Sequence, residues 1–321
     1  MEQTAGETEL QKILVGVGGW AYVPVKHQNK LELCSRIFDF VEVNSTYYKL
    51  PPLDHAKKWR ASVRDDFEFT MRANARLTHE THLEPTESNF KLYANHIEIC
   101  RELRATVLHF QFPPTFAVTR RVIQSWKDFL NSVLKKRSRD LSLAFEIRHV
   151  ESEHSPLVKK FFDEYDIIPT SDASKTGTLD SSRSGIIYSR VFGLGEHTKW
   201  SFATPELETL KDKVQKTFAK KKYVTFHNFT MYEDAARFRS VVTEGIDPLP
   251  PREVGIESFR RAIISARVDF PISKVDLVKQ LSWRTFDSEQ GKRVHLSEWL
   301  DQLPQVQFKS LDEVLKKLPR E

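Results

Sequence analysis

The sequence predicts a closed (β/α)8 barrel followed by a small C-terminal α+β module, and three observations carry that expectation. Eight short apolar runs recur through the first 230 positions, most of them ending in a polar or charged residue. Their length and their Val, Ile, Phe and Leu content suit strands buried on both faces, as in a parallel sheet. Amphipathic helical patterns fill most of the gaps, and eight strand-helix units in about 240 residues match a barrel, where an open doubly wound sheet has fewer strands.

In chain order the runs are residues 12–19, 40–44, 67–72, 106–112, 142–149, 167–172, 186–193 and 223–228. The first ends in Gly16-Val17-Gly18-Gly19-Trp20, a tight exit from strand to loop. It lacks the third glycine and the lysine of phosphate-binding loops, which argues against a nucleotide cradle. The fourth is stopped by Pro113-Pro114, because proline cannot donate to the ladder. Residues 173–185, between runs six and seven, are rich in Ser, Thr and Gly and predict no helix.

The expected organisation is a polar tail (1–11), the barrel (12–243), a proline-rich linker with an amphipathic helix (244–267) and the module (268–321). Pro248, Pro250 and Pro251 mark the linker. The module reads as a capped helix over 273–281, a hairpin over 283–296 turning at Glu289-Gln290-Gly291, and helices over 297–303 and 310–318. Trp283, Trp299, Leu300, Phe308 and Leu311 would form its core. A module of this size is marginal alone and reads as a binding or assembly device that recruits a partner.

At 40% hydrophobic and 29% charged, the 321 residues can bury a large core, which excludes a disordered chain. No run resembles a membrane span, and the polar start is unlike a secretory signal, so the cytoplasm is the expected location. Cys34 and Cys100 fall inside predicted helices without CxxC pairing and read as two buried thiols. The charge of +5 and pI near 9.0 invite a nucleic-acid reading. Yet the densest basic runs, Lys135-Lys136-Arg137 and Lys220-Lys221-Lys222, stand at predicted helix ends, on the face opposite a barrel's catalytic rim. Solvated caps on the helix dipole are the first expectation there, and a nucleic-acid track the second.

Period-two parity locates the chemistry. Side chains two apart share a strand face, so Glu42 pairs with Asn44, Thr70 with Arg72, His109 with Gln111, Glu146 with Arg148, Thr170 with Asp172, and Tyr188 with Arg190. If the apolar alternates face the helices, these partners face the barrel axis, where unpaired polar groups are costly. Barrel enzymes place catalytic groups at that C-terminal rim. The candidate catalytic residues are Glu42, Glu146, Asp172 and His79. The candidate substrate contacts are Trp20, Asn44, Tyr48, Arg72, Gln111, Arg148, Arg190, His227 and Asn228.

Arginine forks suit phosphate or carboxylate oxygens. A carboxylate among them serves as general base or, if a divalent cation binds, Glu42, Glu146 and Asp172 would be its ligands. Mutual neutralisation in a buried network is the alternative. His79-Glu80-Thr81-His82 has its histidines three apart, not four as in a zinc H-E-x-x-H; His79 is expected near the rim. Tyr47 and Tyr48 would either stack on a ring-shaped ligand or pack against Pro51.

These residues also carry a family resemblance. Gly16-Val17-Gly18-Gly19-Trp20-Ala21-Tyr22, Val41-Glu42-Val43-Asn44-Ser45-Thr46-Tyr47-Tyr48-Lys49-Leu50-Pro51, Phe67-Glu68-Phe69-Thr70-Met71-Arg72 with Leu77-Thr78-His79, and Gln111-Phe112-Pro113-Pro114-Thr115-Phe116 follow in order. Glu146-Ile147-Arg148-His149, Tyr188-Ser189-Arg190 and Tyr223-Val224-Thr225-Phe226-His227-Asn228 complete the set. Over residues 12–242 the chain resembles the YecE-like family, catalogued as domain of unknown function 72. The resemblance implies a TIM barrel and brings no assigned reaction. The chain has Arg72 where the family usually has lysine, Phe192 where histidine is common, His227 where asparagine is, and Val150-Glu151 where a tryptophan often follows.

Two function classes stay open. One is an enzyme acting on an anionic, phosphate-bearing substrate, with a nucleotide or nucleic acid as one version. Either a hydrolase of phosphoester or nuclease type or an isomerase would fit. The other is a non-catalytic barrel that captures a ligand while its C-terminal module recruits a protein or nucleic-acid partner.

Overall fold

The computed structural model describes residues 12–24, 28–134, 140–148, 155–249 and 253–318. The expected tail, the basic run at 135–137 and residues 149–151, 250 and 251 of the sequence reading lie outside them.

The barrel is built from β1 (Ile13–Val17), α1 (Lys30–Ile37), β2 (Phe40–Val43), α2 (Leu53–Ala61), β3 (Glu68–Arg72), α3 (Glu87–Leu103), β4 (Ala105–Gln111), α4 (Arg120–Val133), β5 (Ser142–Glu146), α5 (Ser155–Tyr165), β6 (Ile167–Ser171), β7 (Ile186–Val191), α6 (Thr204–Lys216), β8 (Lys221–Phe226) and α7 (Met231–Thr243). The eight strands close into one barrel in sequence order, and the strand pairs from β1 to β7 run parallel. Local signals start the helices where the sequence changes period. The side chains of Asn29, Thr86 and Thr119 accept first-turn N–H groups of α1, α3 and α4. As expected, the described residues between β6 and β7 form no helix.

Strand register sets the height of the polar ends. Glu42 lies beside Thr70, Arg72 beside His109, Gln111 beside Glu146, and Thr170 beside Tyr188. Below them, Leu14, Phe40, Val107, Ala144 and Ile168 pack with the rings of Tyr188 and Tyr223. Gly16 is required by this packing, since a Cβ there would meet the Phe40 ring at 2.7 Å. Near the strand starts, Glu68 accepts from Tyr223 Oη at 2.5 Å and from Lys221 Nζ at 2.6 Å. Lys222 donates to Gln215 O at 3.0 Å. The run at 220–222 is therefore not a set of solvated helix caps: two of its lysines lie in β8 and are spent on internal acceptors.

The chain divides into two compact units, Met1–Arg190 with Lys213–Thr225, and Val191–Asp212 with Phe226–Glu321. The second contains α7 and continues with α8 (Ile256–Ala266), β9 (Ile272–Ser273), α9 (Lys274–Leu281), β10 (Thr285–Glu289), β11 (Lys292–His295), α10 (Ser297–Leu300), β12 (Gln307–Phe308) and α11 (Leu311–Lys316). β10 and β11 form an antiparallel hairpin, and β9 pairs with β12. Gly291 turns the hairpin at φ +76°, a backbone that side chains with a Cβ rarely adopt. Phe259 and Ile263 of α8 share a core with Leu277, Phe286, Leu300 and Phe308. Trp299 and Leu311 pack on it from the side. Trp283 is absent from that core and instead meets Phe229 edge-on. Both cysteines are buried free thiols. Among the described residues no helix is long and apolar enough to cross a membrane.

Candidate functional site

The strand ends β2 to β5 and β7 bring a connected set of polar groups into the barrel. Arg190 is its hub, at 3% exposure. Its Nη1 donates to Gln111 Oε1 at 2.9 Å and to Glu146 Oε2 at 2.7 Å, while Nη2 donates to Glu42 Oε1 at 3.1 Å. Tyr188 donates its phenol to Glu42 Oε2 at 2.6 Å. With that proton committed, the Thr70 hydroxyl, 2.8 Å away, donates to the phenol oxygen. On the open side, Arg148 Nε donates to Glu146 Oε1 at 2.9 Å, with its side chain 41% exposed.

His109 lies fully buried between the two carboxylates, Nε2 3.4 Å from Glu146 and Nδ1 3.8 Å from Glu42. Neither contact meets hydrogen-bond geometry, so both ring nitrogens lack a hydrogen-bond partner. Burial and the nearby Arg190 charge outweigh the two carboxylates and push its pKa down, which keeps the imidazole neutral. Burial alone would raise the Glu146 pKa, but the Arg190 guanidinium, with Arg148 beside it, reverses the effect and holds it well below the usual carboxylate range. Burial likewise opposes the charge on Arg190, and the two carboxylates overcome it and raise its pKa. Burial and the charge of Glu42 raise Tyr188, which stays a phenol.

A second cluster gathers around Tyr47. The Arg72 guanidinium lies 3.9 Å over the Tyr47 ring, and Tyr48 and His79 meet the same ring edge-on at 4.9 and 5.1 Å. Arg72 Nε is buried without a hydrogen-bond partner. His79 is carried on a π-helical turn, Arg76–Glu80, a local irregularity found at many functional sites. Its pKa is lowered by burial, then by the charges of Arg72, His82 and Arg148. The support comes from Asn74, whose Nδ2 donates to the carbonyls of Thr46 and Tyr47 at 3.1 and 3.0 Å. Asn74 is held in turn by its own N–H, which donates to His96 Nε2 on α3 at 3.0 Å.

The remaining candidates have other occupations. Asp172 Oδ1 accepts from the N–H and hydroxyl of Ser174 at 2.9 and 2.5 Å, and its Oδ2 stands 3.9 Å from Lys175 Nζ. Among the described residues no group of three or more His, Cys, Asp or Glu side chains is arranged to hold a metal ion. The expected set of Glu42, Glu146 and Asp172 is thus not assembled as a ligand cage, because Arg190 stands between the first two. Asn44 Nδ2 donates to Gly18 O at 3.0 Å, and Trp20 packs edge-on against Trp59 of α2 at 5.1 Å. In the second unit, Asn228 is buried and donates to Asp234 Oδ2 at 2.6 Å, a structural bond, while the His227 ring stacks on Phe192.

His109, Tyr188, Thr70 and Tyr47 escaped the candidate set. The first three share strand faces with Gln111, Arg190 and Arg72, so parity pointed to them; their partners come from distant strands, which spacing along one strand does not reveal.

The comparisons with known proteins agree with this architecture. A DUF72 family protein from Enterococcus faecalis V583 superposes with a TM-score of 0.57 at 19% identity, over 76% of this chain and 100% of the other. One from Thermotoga maritima MSB8 gives 0.56 at 22% identity, over 72% and 98%. At such identities the likeness concerns the fold. UPF0759 protein YunF of Bacillus subtilis (strain 168) is 29% identical over 115 residues, 32% of this chain, and the match spans only 41% of that protein's length. The family model described as "Protein of unknown function DUF72" matches residues 14–251, three quarters of the sequence, and the chain belongs to that family.

Proposed function

We propose that the barrel is an enzyme acting on a small anionic substrate at its C-terminal rim, with Arg72 and Arg148 contacting the anion. One observation carries this reading. Arg190 is matched by two carboxylates, Glu42 and Glu146, so it is not the anion clamp; Arg72 and Arg148 bring two further cations to the same groups, and Arg72 Nε lacks a partner. Three guanidiniums against two carboxylates leave a net positive mouth, which favours an incoming carboxylate or phosphate. Glu146, oriented by Arg190 and Arg148, would face the reacting group as a fixed anion, with neutral His109 behind it as the group able to exchange a proton. Isomerisation or hydrolysis both fit that arrangement.

The test is a thermal-shift screen of the full chain against inorganic phosphate, sugar phosphates, nucleotides and short oligonucleotides. A binder at about 100 times its Kd should stabilise the native state by about 2.7 kcal/mol. Arg72→Gln should diminish the shift. Failure of every anion to raise the wild-type Tm, or an undiminished shift in Arg72→Gln, would overturn the reading.

A further inference from the structure

The second unit contains a cavity whose lining the barrel chemistry does not use. It measures about 300 Å³ and is bounded by the start of α7, by α8 and by β10 with the residues just before it. That volume is at the lower end for small-molecule sites. One wall is aromatic. Phe229, 69% exposed, meets Trp283 edge-on at 5.9 Å, and Trp283 is fixed by its indole N–H, which donates to Gln280 O at 2.8 Å.

The other wall carries three guanidiniums, and they are not equivalent. Arg293 is matched by Asp287 at 2.7 Å and Glu233 at 2.6 Å. Arg261 pairs with Glu253. Among the described residues no carboxylate pairs with Arg284. It lies 4.9 Å over the Trp283 ring and reaches Ser265 Oγ only at 3.3 Å, and its Nε is buried with no hydrogen-bond partner. Burial lowers its pKa with no acidic neighbour to restore it. A partly desolvated cation without a counter-charge is unfavourable. A site meant only for packing would carry an apolar residue there.

We propose that this cavity binds a small anion carried on a planar ring, an aryl phosphate or aryl carboxylate. Arg284 and Ser265 take the anion, and the ring lies against Phe229 and Trp283. The anion supplies the counter-charge for Arg284, and the ring covers Phe229, which is otherwise exposed. All the residues involved belong to the second unit, so the proposal stands independently of the barrel reading.

Phenyl phosphate, benzoate and inorganic phosphate, titrated into the full-length protein by calorimetry and tryptophan fluorescence, test it. At least one aryl anion should bind saturably and more tightly than inorganic phosphate. Which of the two binds better separates a phosphate ligand from a carboxylate. Arg284→Gln should weaken binding about tenfold or more, the size of one charge-assisted hydrogen-bond pair. Arg284→Lys should fall between the two, and Trp283→Phe should remove the fluorescence change while Arg72→Gln leaves binding intact. The proposal is overturned if neither aryl anion binds, if Arg284→Gln binds like wild type, or if binding is lost in Arg72→Gln and kept in Arg284→Gln.

Discussion

Arg190 enters the barrel with a carboxylate on either side, and its value to the fold is greater than that of any rim cation. Arg190→Met would leave Glu42 and Glu146 buried beside each other with no cation between them. Removing one partner of a buried ion pair costs about 3–5 kcal/mol. Without Arg190 at least one of the two carboxyls gains a raised pKa, so the folded variant binds a proton that the unfolded chain has released. The deficit measured by urea denaturation should therefore be smaller at pH 5 than at pH 7. His96 gives the opposite sign. Its Nε2 accepts from Asn74 and its Nδ1 donates to Leu92 O, a pattern only the neutral ring can make. Burial pushes its pKa from 6.5 down to about 4. The stabilisation is complete above 6.5 and is lost as pH falls through 4, about 3 kcal/mol in all. His96→Gln, which keeps an acceptor for Asn74, should lack this acid sensitivity; an unchanged slope between pH 4.5 and 7.5 would refute the assignment. Parity along each strand made Glu42, Glu146 and Arg190 legible as inward-facing. It could not show that Arg190 answers acids two and five strands earlier in the chain, because their approach depends on barrel closure.

At the scale of elements, the apolar runs marked the strands well because burial on both faces leaves a continuous signal. The ends were less legible: the fifth run reads on to residue 149, whereas β5 leaves the sheet after Glu146. Helix caps and strand lysines also look alike in sequence, so Lys221 and Lys222 read as caps although they open β8. Gly16 tests the packing of β1 against β2 directly. A methyl group there would overlap the Phe40 ring, which is fully buried in the barrel interior. Gly16→Ala should cost about 1–3 kcal/mol, the usual size of overpacking. Combined with Phe40→Leu, which frees space at the same spot, the two changes should be less than additive. Strict additivity in urea melts would mean that the ring and the glycine do not share that volume.

For the molecule as a whole, the proline-rich stretch reads as a linker between the barrel and a small module. Within the second unit, the elements beyond it reach back to the helices that precede it. Arg293 on β11 pairs with Glu233 of α7, its N–H donates to Thr204 Oγ1 at the start of α6, and His295 Nε2 lies 2.8 Å from Glu206. None of these partners could be read from sequence, since they join residues 60 to 89 positions apart. A chain ending at Leu249 keeps Asp247 on Arg237 and Thr204 but strips the other three contacts from α6 and α7. Losing one partly buried ion pair and two hydrogen bonds should cost about 2–4 kcal/mol. At roughly 2–4 °C per kcal/mol for a domain of this size, the Tm should fall by about 4–16 °C. In the full chain the C-terminal elements should then unfold in the same calorimetric transition as α7, because each stabilises the other. A truncated chain melting within about 2 °C of the intact one, or separate transitions for α7 and the C-terminal elements in the intact chain, would show that the C-terminal elements fold and unfold on their own account.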